Sequence, residues 1–191
     1  MSLFTQYEIR AAASNIKKSM SVVLSEQATH EKTNKTFDIF LSHSFADSDS
    51  VLGIKAIIED IGFTVYVDWI EDAQMDRGRV SKVTAQILKS RMKRCRCLLY
   101  ATSLNSSKSL WMPWELGYMD GFRDKVAILP VTDYKTDNYE GREYLGLYPF
   151  IRKGPSTISN NDFLWIFKDE QYYLPFDSWL NSTEQVFKKL G

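Results

Sequence analysis

The residues best placed to do chemistry in this chain fall in one stretch, Ser109-Leu110-Trp111-Met112-Pro113-Trp114-Glu115-Leu116-Gly117-Tyr118. It sets a single carboxylate, Glu115, among three large aromatics, where an apolar strand and a polar loop hand over to a helix. Pro113 suits the first helical position, which would put Glu115 in the first turn. There the positive end of the helix dipole favours the ionised carboxylate, while the aromatics exclude water and favour the neutral acid. The plain role for such a residue is to satisfy backbone amides at a helix start. Aromatic crowding by Trp111, Trp114 and Tyr118 tips the balance toward an active-site carboxylate.

Other chemistries find less support. No Gly-rich phosphate loop of the GxGxxG or GKS/GKT kind is present. The only histidines, His30 and His43, are far apart, so no metal-ligand set forms. Ser44 and His43 are adjacent, and adjacent residues rarely aim at one another as a nucleophile and base must. His43 instead reads as a loop residue lining a cleft. Cys95 and Cys97 stand one residue apart in an apolar run, which predicts a buried, reduced pair sharing a strand face.

The elements that must position Glu115 follow from hydrophobic patterning. Residues 1–30 read as an amphipathic helix, with Phe4, Ala12, Ile16, Met20 and Val23 at helical spacing, then a polar connector. Phe37–Ser42 is an apolar strand that breaks into the polar turn His43-Ser44-Phe45-Ala46-Asp47-Ser48. Asp47 or Ser48 can cap a helix carrying Val51, Ile54, Ile58 and Ile61, which stops at Gly62. A strand over Phe63–Val67 leads into a long loop, Asp68 to Arg79, that holds Trp69, Arg77 and Gly78. A helix over Val80–Met92 ends in the basic cluster Lys89, Arg91, Lys93 and Arg94, which suits a helix C-terminus. Cys95–Tyr100 is a third strand, and Val126–Val131, after the helix from Pro113, a fourth. Gly117 and Gly121 lie four apart on that helix, a spacing that permits close packing. A fifth strand is expected near Tyr148 to Ile151, and Phe163–Phe167 could be a strand or a short helix. A last helix is expected from Asp177 to Leu190.

This alternation of strands and helices predicts an α/β domain with a parallel sheet covered on both faces. Ligands of such sheets bind beyond the carboxyl ends of the strands. The segments from His43 to Phe45, Asp68 to Gly78 and Asn105 to Glu115 all follow strands at that edge, so three loops converge on one cleft. The bulk numbers agree with a single ordinary domain. The chain has 191 residues with 44% hydrophobic and 25% charged content, and 24 basic residues balance 24 acidic ones. That balance argues against a general nucleic-acid binder. The absence of a long apolar run argues against a membrane span, and a reducing, cytoplasmic location is the default expectation.

The motifs resemble those of a Toll/interleukin-1 receptor (TIR) domain over residues 36–131. Phe37-Asp38-Ile39-Phe40-Leu41-Ser42-His43-Ser44 looks like the family's first-strand signature. Val65 to Gly78 is similar to its second strand and long BB loop, and Ser109-x-Trp111-x-x-x-Glu115-Leu116 to the glutamate motif of its enzymatic branch. The resemblance implies a flavodoxin-like fold with a central five-stranded parallel sheet and helices on both faces. An N-terminal helix and linker (1–35) would precede the TIR domain and its aromatic-rich C-terminal extension (36–191). It implies cleavage of the nicotinamide–ribose bond of NAD, with NAD as substrate rather than cofactor and Glu115 as the catalytic residue. His43, Ser44, Phe45, Asp68, Trp69, Ser109 and Trp111 would line the substrate pocket, and Arg77 would meet a phosphate. Bacterial members of the branch act in antiphage defence, making ADP-ribose, often cyclised, as a signal for a partner effector; self-association through TIR surfaces is a further implication. Two other readings are carried alongside: a non-enzymatic TIR adaptor or virulence-type interaction protein, and a nucleoside deoxyribosyltransferase-like enzyme on a related fold.

Overall fold

In the computed structural model the described residues are 1–23, 35–44, 47–72, 80–103, 106–156 and 161–190. Five short apolar segments form the parallel core of the sheet: β2 (Phe37–Ser42), β3 (Val65–Tyr66), β4 (Cys95–Thr102), β5 (Val126–Thr132) and β6 (Phe150–Pro155). They lie side by side in the order β3-β2-β4-β5-β6, every neighbouring pair parallel. This is the flavodoxin-like order, whose strand direction of travel reverses between β2 and β4. These strands are buried on both faces, which is why they read as near-continuous apolar runs rather than alternating ones.

The helices divide between the two faces. Ile9 of α1 (Gln6–Val23), Val51, Ile54 and Ile58 of α2 (Ser48–Asp60) and Trp179 of α6 (Phe176–Asn181) share one buried cluster with Ile39, Leu41, Leu99 and Leu129 of the sheet. Leu88 and Met92 of α4 (Lys82–Met92), with Met112, Leu116 and Met119 of α5 (Trp111–Arg123), pack on the other face against Phe40, Leu98 and Ile128. A one-turn α3 (Asp68–Glu71) follows β3, where the sequence predicted only loop. Cys95 and Cys97 are both fully buried, but they divide between the two clusters instead of sharing one. Burial pushes the Cys95 thiol up to about 12, so it stays protonated.

The N-terminal segment is tied in more closely than a periodic helix alone implies. Phe4 lies in a short strand, β1 (Phe4–Thr5), that pairs in parallel with the end of β5. The helix then buries Ile9 and Ala13, with Ala12 and Ile16 only half-buried. Gly53 allows α1 to close on α2, because a Cβ there would stand 2.0 Å from the Ile9 carbonyl oxygen. Gly62 ends the α2 segment at a positive φ of 107°, as its position in the sequence predicted.

Beyond β6 the sheet continues with antiparallel strands. β7 (Asp162–Phe167) pairs with β6, β8 (Tyr172–Pro175) with β7, and β9 (Lys188–Lys189) with β8. The expected final helix is therefore corrected: α6 stops at Asn181, and Lys188–Lys189 returns to the sheet edge beside Tyr172 and Tyr173. Asn181, Ser182 and Thr183 are poor helix formers, and the Asn181 side chain bonds backward to the Asp177 carbonyl.

Candidate active site

Glu115 sits on α5 against the two strands that flank the reversal of strand order. The helix starts at Trp111, two residues earlier than Pro113 suggested, so Glu115 lies just past the first turn. Pro113 becomes the third helical residue, still among the first four whose N–H groups have no intrahelical partner, and its missing donor costs nothing. Ser109 fixes this start: its hydroxyl oxygen accepts the Met112 N–H at 3.3 Å. The dipole influence fades within a turn, so at Glu115 it is weaker than a first-turn position would give.

Glu115 is fully buried, and the Ser42 hydroxyl donates to its Oε2 at 2.6 Å. Ser42 ends β2 and stands opposite Tyr100 of β4 in the strand register. Tyr100 is also buried. Its hydroxyl is held protonated first by burial, then by the neighbouring Tyr144, to which it hydrogen-bonds, with Glu115 adding to the effect. The carboxylate thus lies over a serine–tyrosine pair contributed by adjacent parallel strands. Ser42 and Tyr100 were not among the site residues expected from sequence. The signal that could have found them is a polar group closing an apolar strand at the carboxyl edge.

The next residue turns elsewhere. His43 is 2% exposed and its Nδ1 lies 2.8 Å from the Leu41 carbonyl oxygen. A carbonyl can only accept, so Nδ1 carries a proton and Nε2 faces Asp68 Oδ1 at 3.4 Å. Asp68, 1% exposed, is the first residue of α3, and its Oδ1 accepts the Trp69 N–H at 2.7 Å. Trp69 packs against the α1–α2 cluster, whereas Trp111 packs in the α4–α5 cluster, so the two indoles belong to opposite layers. Ser44 is buried beside this turn, and its carbonyl accepts the Asp47 N–H. Phe45 and Arg77 lie outside the described residues.

Two further contacts hold the loops at this edge. Asp47 occupies the cap position of α2 without capping it through its side chain; its carboxylate instead accepts from the Ser103 hydroxyl, joining the loops after β2 and β4. Asp72 takes a two-pronged bond from Arg91 of α4, at 2.6 and 2.8 Å, and a third bond from the Tyr66 hydroxyl at 2.6 Å. Arg91 therefore has a specific partner beyond the helix terminus that explained its charge. Lys89 likewise lies over the Trp114 and Tyr118 rings, which stack along the outer side of α5. Gly117 and Gly121 face open space, so close packing is not their reason.

Among the described residues no group of three or more His, Cys, Asp or Glu could hold a metal ion, and no helix is long and apolar enough to cross a membrane. Two clefts of about 530 and 410 Å³ run along the start of α1 and contain none of the expected site residues.

Fold and site together define a flavodoxin-like α/β protein with a buried carboxylate at the reversal of its parallel sheet. Two curated relatives narrow that class. The chain is 47% identical over 193 residues to the "Probable 3' cyclic ADP-D-ribose synthase ThsB'" of Bacillus cereus (strain MSX-D12), a match covering 96% of this chain and all of that protein. It is 29% identical over 93 residues to the "Putative cyclic ADP-D-ribose synthase TIR2" of Cytobacillus dafuensis, covering 48% of this chain and 24% of that one. No protein-family model matches the chain. The chain belongs to the TIR family of cyclic ADP-D-ribose synthases.

Proposed function

We propose that this chain cleaves the nicotinamide–ribose bond of NAD and closes the remaining ADP-ribose into a ring, supplying a nucleotide signal in bacterial antiphage defence. The observation that carries the reading is the fully buried Glu115 carboxylate, held by the Ser42 hydroxyl where the parallel sheet reverses. The full-length similarity to a protein named as a 3' cyclic ADP-D-ribose synthase supports the same activity and a 3'-linked product.

The chemistry asks little of the protein. Breaking the C–N bond expels neutral nicotinamide, which needs no acid, and leaves positive charge on the ribose as an oxocarbenium-like centre. Glu115 is the catalytic residue in this reading, stabilising that charge or orienting the ribose hydroxyls. A hydroxyl of the adenosine ribose then forms the new C–O bond and loses its proton; water in its place would give linear ADP-ribose. Glu115 has no exposed surface in this structure, so NAD binding must uncover it. His43, Ser44, Phe45, Asp68, Trp69, Arg77, Ser109 and Trp111 are proposed to shape the substrate site, Ser109 by setting the start of the catalytic helix. The proposal includes a downstream effector that reads the nucleotide, self-association through TIR surfaces, and a cytoplasmic location.

The test is direct. Purified chain is incubated with NAD, nicotinamide is followed by chromatography, and the nucleotide product is weighed by mass spectrometry. Release of nicotinamide with a product one water lighter than ADP-ribose is expected. No release, even with extract of phage-infected cells added, would overturn the reading.

A further inference from the structure

The contact between Ser42 and Glu115 links residues 73 apart in sequence and joins the end of β2 to α5. Both side chains are fully buried. A hydroxyl–carboxylate bond of 2.6 Å falls in the short, charge-assisted class, which is stronger and more directional than a bond between neutral groups. Ser42 has little freedom of its own: it lies within the β2–β4 ladder, and its side chain is one rotor long. Glu115 is the opposite case, a long side chain whose carboxylate could swing about three torsions if nothing held it. The rigid partner therefore sets the position of the flexible one. The neighbouring Tyr100 hydroxyl is engaged with Tyr144, which leaves it a different role at the same spot.

We propose that Ser42 is a positioning residue for Glu115, its hydroxyl holding the carboxylate in the one orientation that meets the substrate ribose. The proposal rests on the NAD-cleaving reading and adds to it a residue that acts only through Glu115. A serine that merely satisfied a buried polar group would contribute to stability alone. A positioning serine acts on turnover, because misplacement by about an ångström already costs roughly a hundredfold in rate.

The experiment compares wild type, Ser42→Ala and Ser42→Thr as full-length chains. Ser42→Ala removes one oxygen and should keep the fold, which a thermal melt verifies. The expected result is a fall in kcat of about ten- to hundredfold. KM for NAD should change by less than about twofold, and Ser42→Thr, which retains the hydroxyl, should recover most of the rate. The acid limb of the pH–rate profile should move to higher pH in Ser42→Ala, because the lost donor favoured the charged carboxylate. A carbon-13 NMR titration of the Glu115 carboxyl reads the same displacement without any turnover. Unchanged kcat and pH profile in a folded Ser42→Ala chain would overturn the proposal while leaving NAD cleavage standing. If wild type releases no nicotinamide, the functional reading fails instead. The NMR midpoint then decides whether Ser42 governs Glu115, and an unmoved midpoint overturns that as well.

Discussion

Ser42 and His43 are neighbours in sequence, both polar and both buried at the carboxyl edge of the sheet, yet they serve different pairs. The Ser42 hydroxyl donates a hydrogen bond to Glu115 on the α5 side. His43 is held by the Leu41 carbonyl and faces Asp68 at the start of α3. Ser42 is the last residue of β2 and His43 the first of the turn that follows, so one step of sequence separates two environments. The first pair is a side-chain carboxyl group held by a neutral hydroxyl donor. The second sets a carboxylate against an imidazole and spends its interactions on fixing the turn after β2 to the turn after β3. Similar burial therefore accompanies a link between strand and helix in one case and a link between two turns in the other.

That contrast can be broken most forcefully at Glu115. Glu115→Gln keeps the shape and can still accept a hydrogen bond from Ser42, but it cannot ionise. Nicotinamide release should fall by about a thousandfold while the thermal midpoint stays near that of wild type. An active variant would remove Glu115 from the mechanism. Asp68→Ala should do the reverse. Losing the side chain leaves His43 without its facing carboxylate and the Trp69 N–H without its side-chain acceptor, at a cost of about 1–3 kcal/mol in urea unfolding. Turnover per folded molecule should suffer less than in Glu115→Gln; a larger loss would make Asp68 part of the chemistry.

The mildest test uses the same helix as Glu115 but its outer side. Gly117 faces open space, and an alanine there replaces a poor helix former with the best one. Gly117→Ala should raise stability by about 0.5–1 kcal/mol with turnover unchanged, read by denaturant melts and the nicotinamide assay. A loss of activity would extend the site to a surface that the Ser42–Glu115 contact does not reach.

Much of this architecture was legible from residue patterns. The boundaries of β2 are those of the apolar run Phe37–Ser42, because a strand buried on both faces leaves an unbroken hydrophobic signature. Gly62 ended its helix where a left-handed residue was needed, and the alternation of elements implied the parallel sheet. Glu115 stood out as a lone carboxylate in an aromatic setting. The helix starts two residues before the position that Pro113 suggests, because proline is tolerated anywhere in a first turn and the Ser109 hydroxyl accepts the Met112 N–H. The tail was harder still. Val186, Phe187 and Leu190 carry enough apolar character to extend a helix on paper, but pairing with Tyr172 and Tyr173 takes Lys188 and Lys189 into a strand instead.

By itself, then, the sequence determined the apolar strands of the parallel core and singled out Glu115 as the carboxylate to examine. Only the tertiary structure decided what holds it. A serine at the end of an apolar strand carries no periodic signal, and its partner lies 73 residues away. That contact exists only because β4 pairs beside β2 and α5, in the connection from β4 to β5, packs over both strands. Local patterns encode which face of an element is buried; they do not encode which distant side chain it meets there.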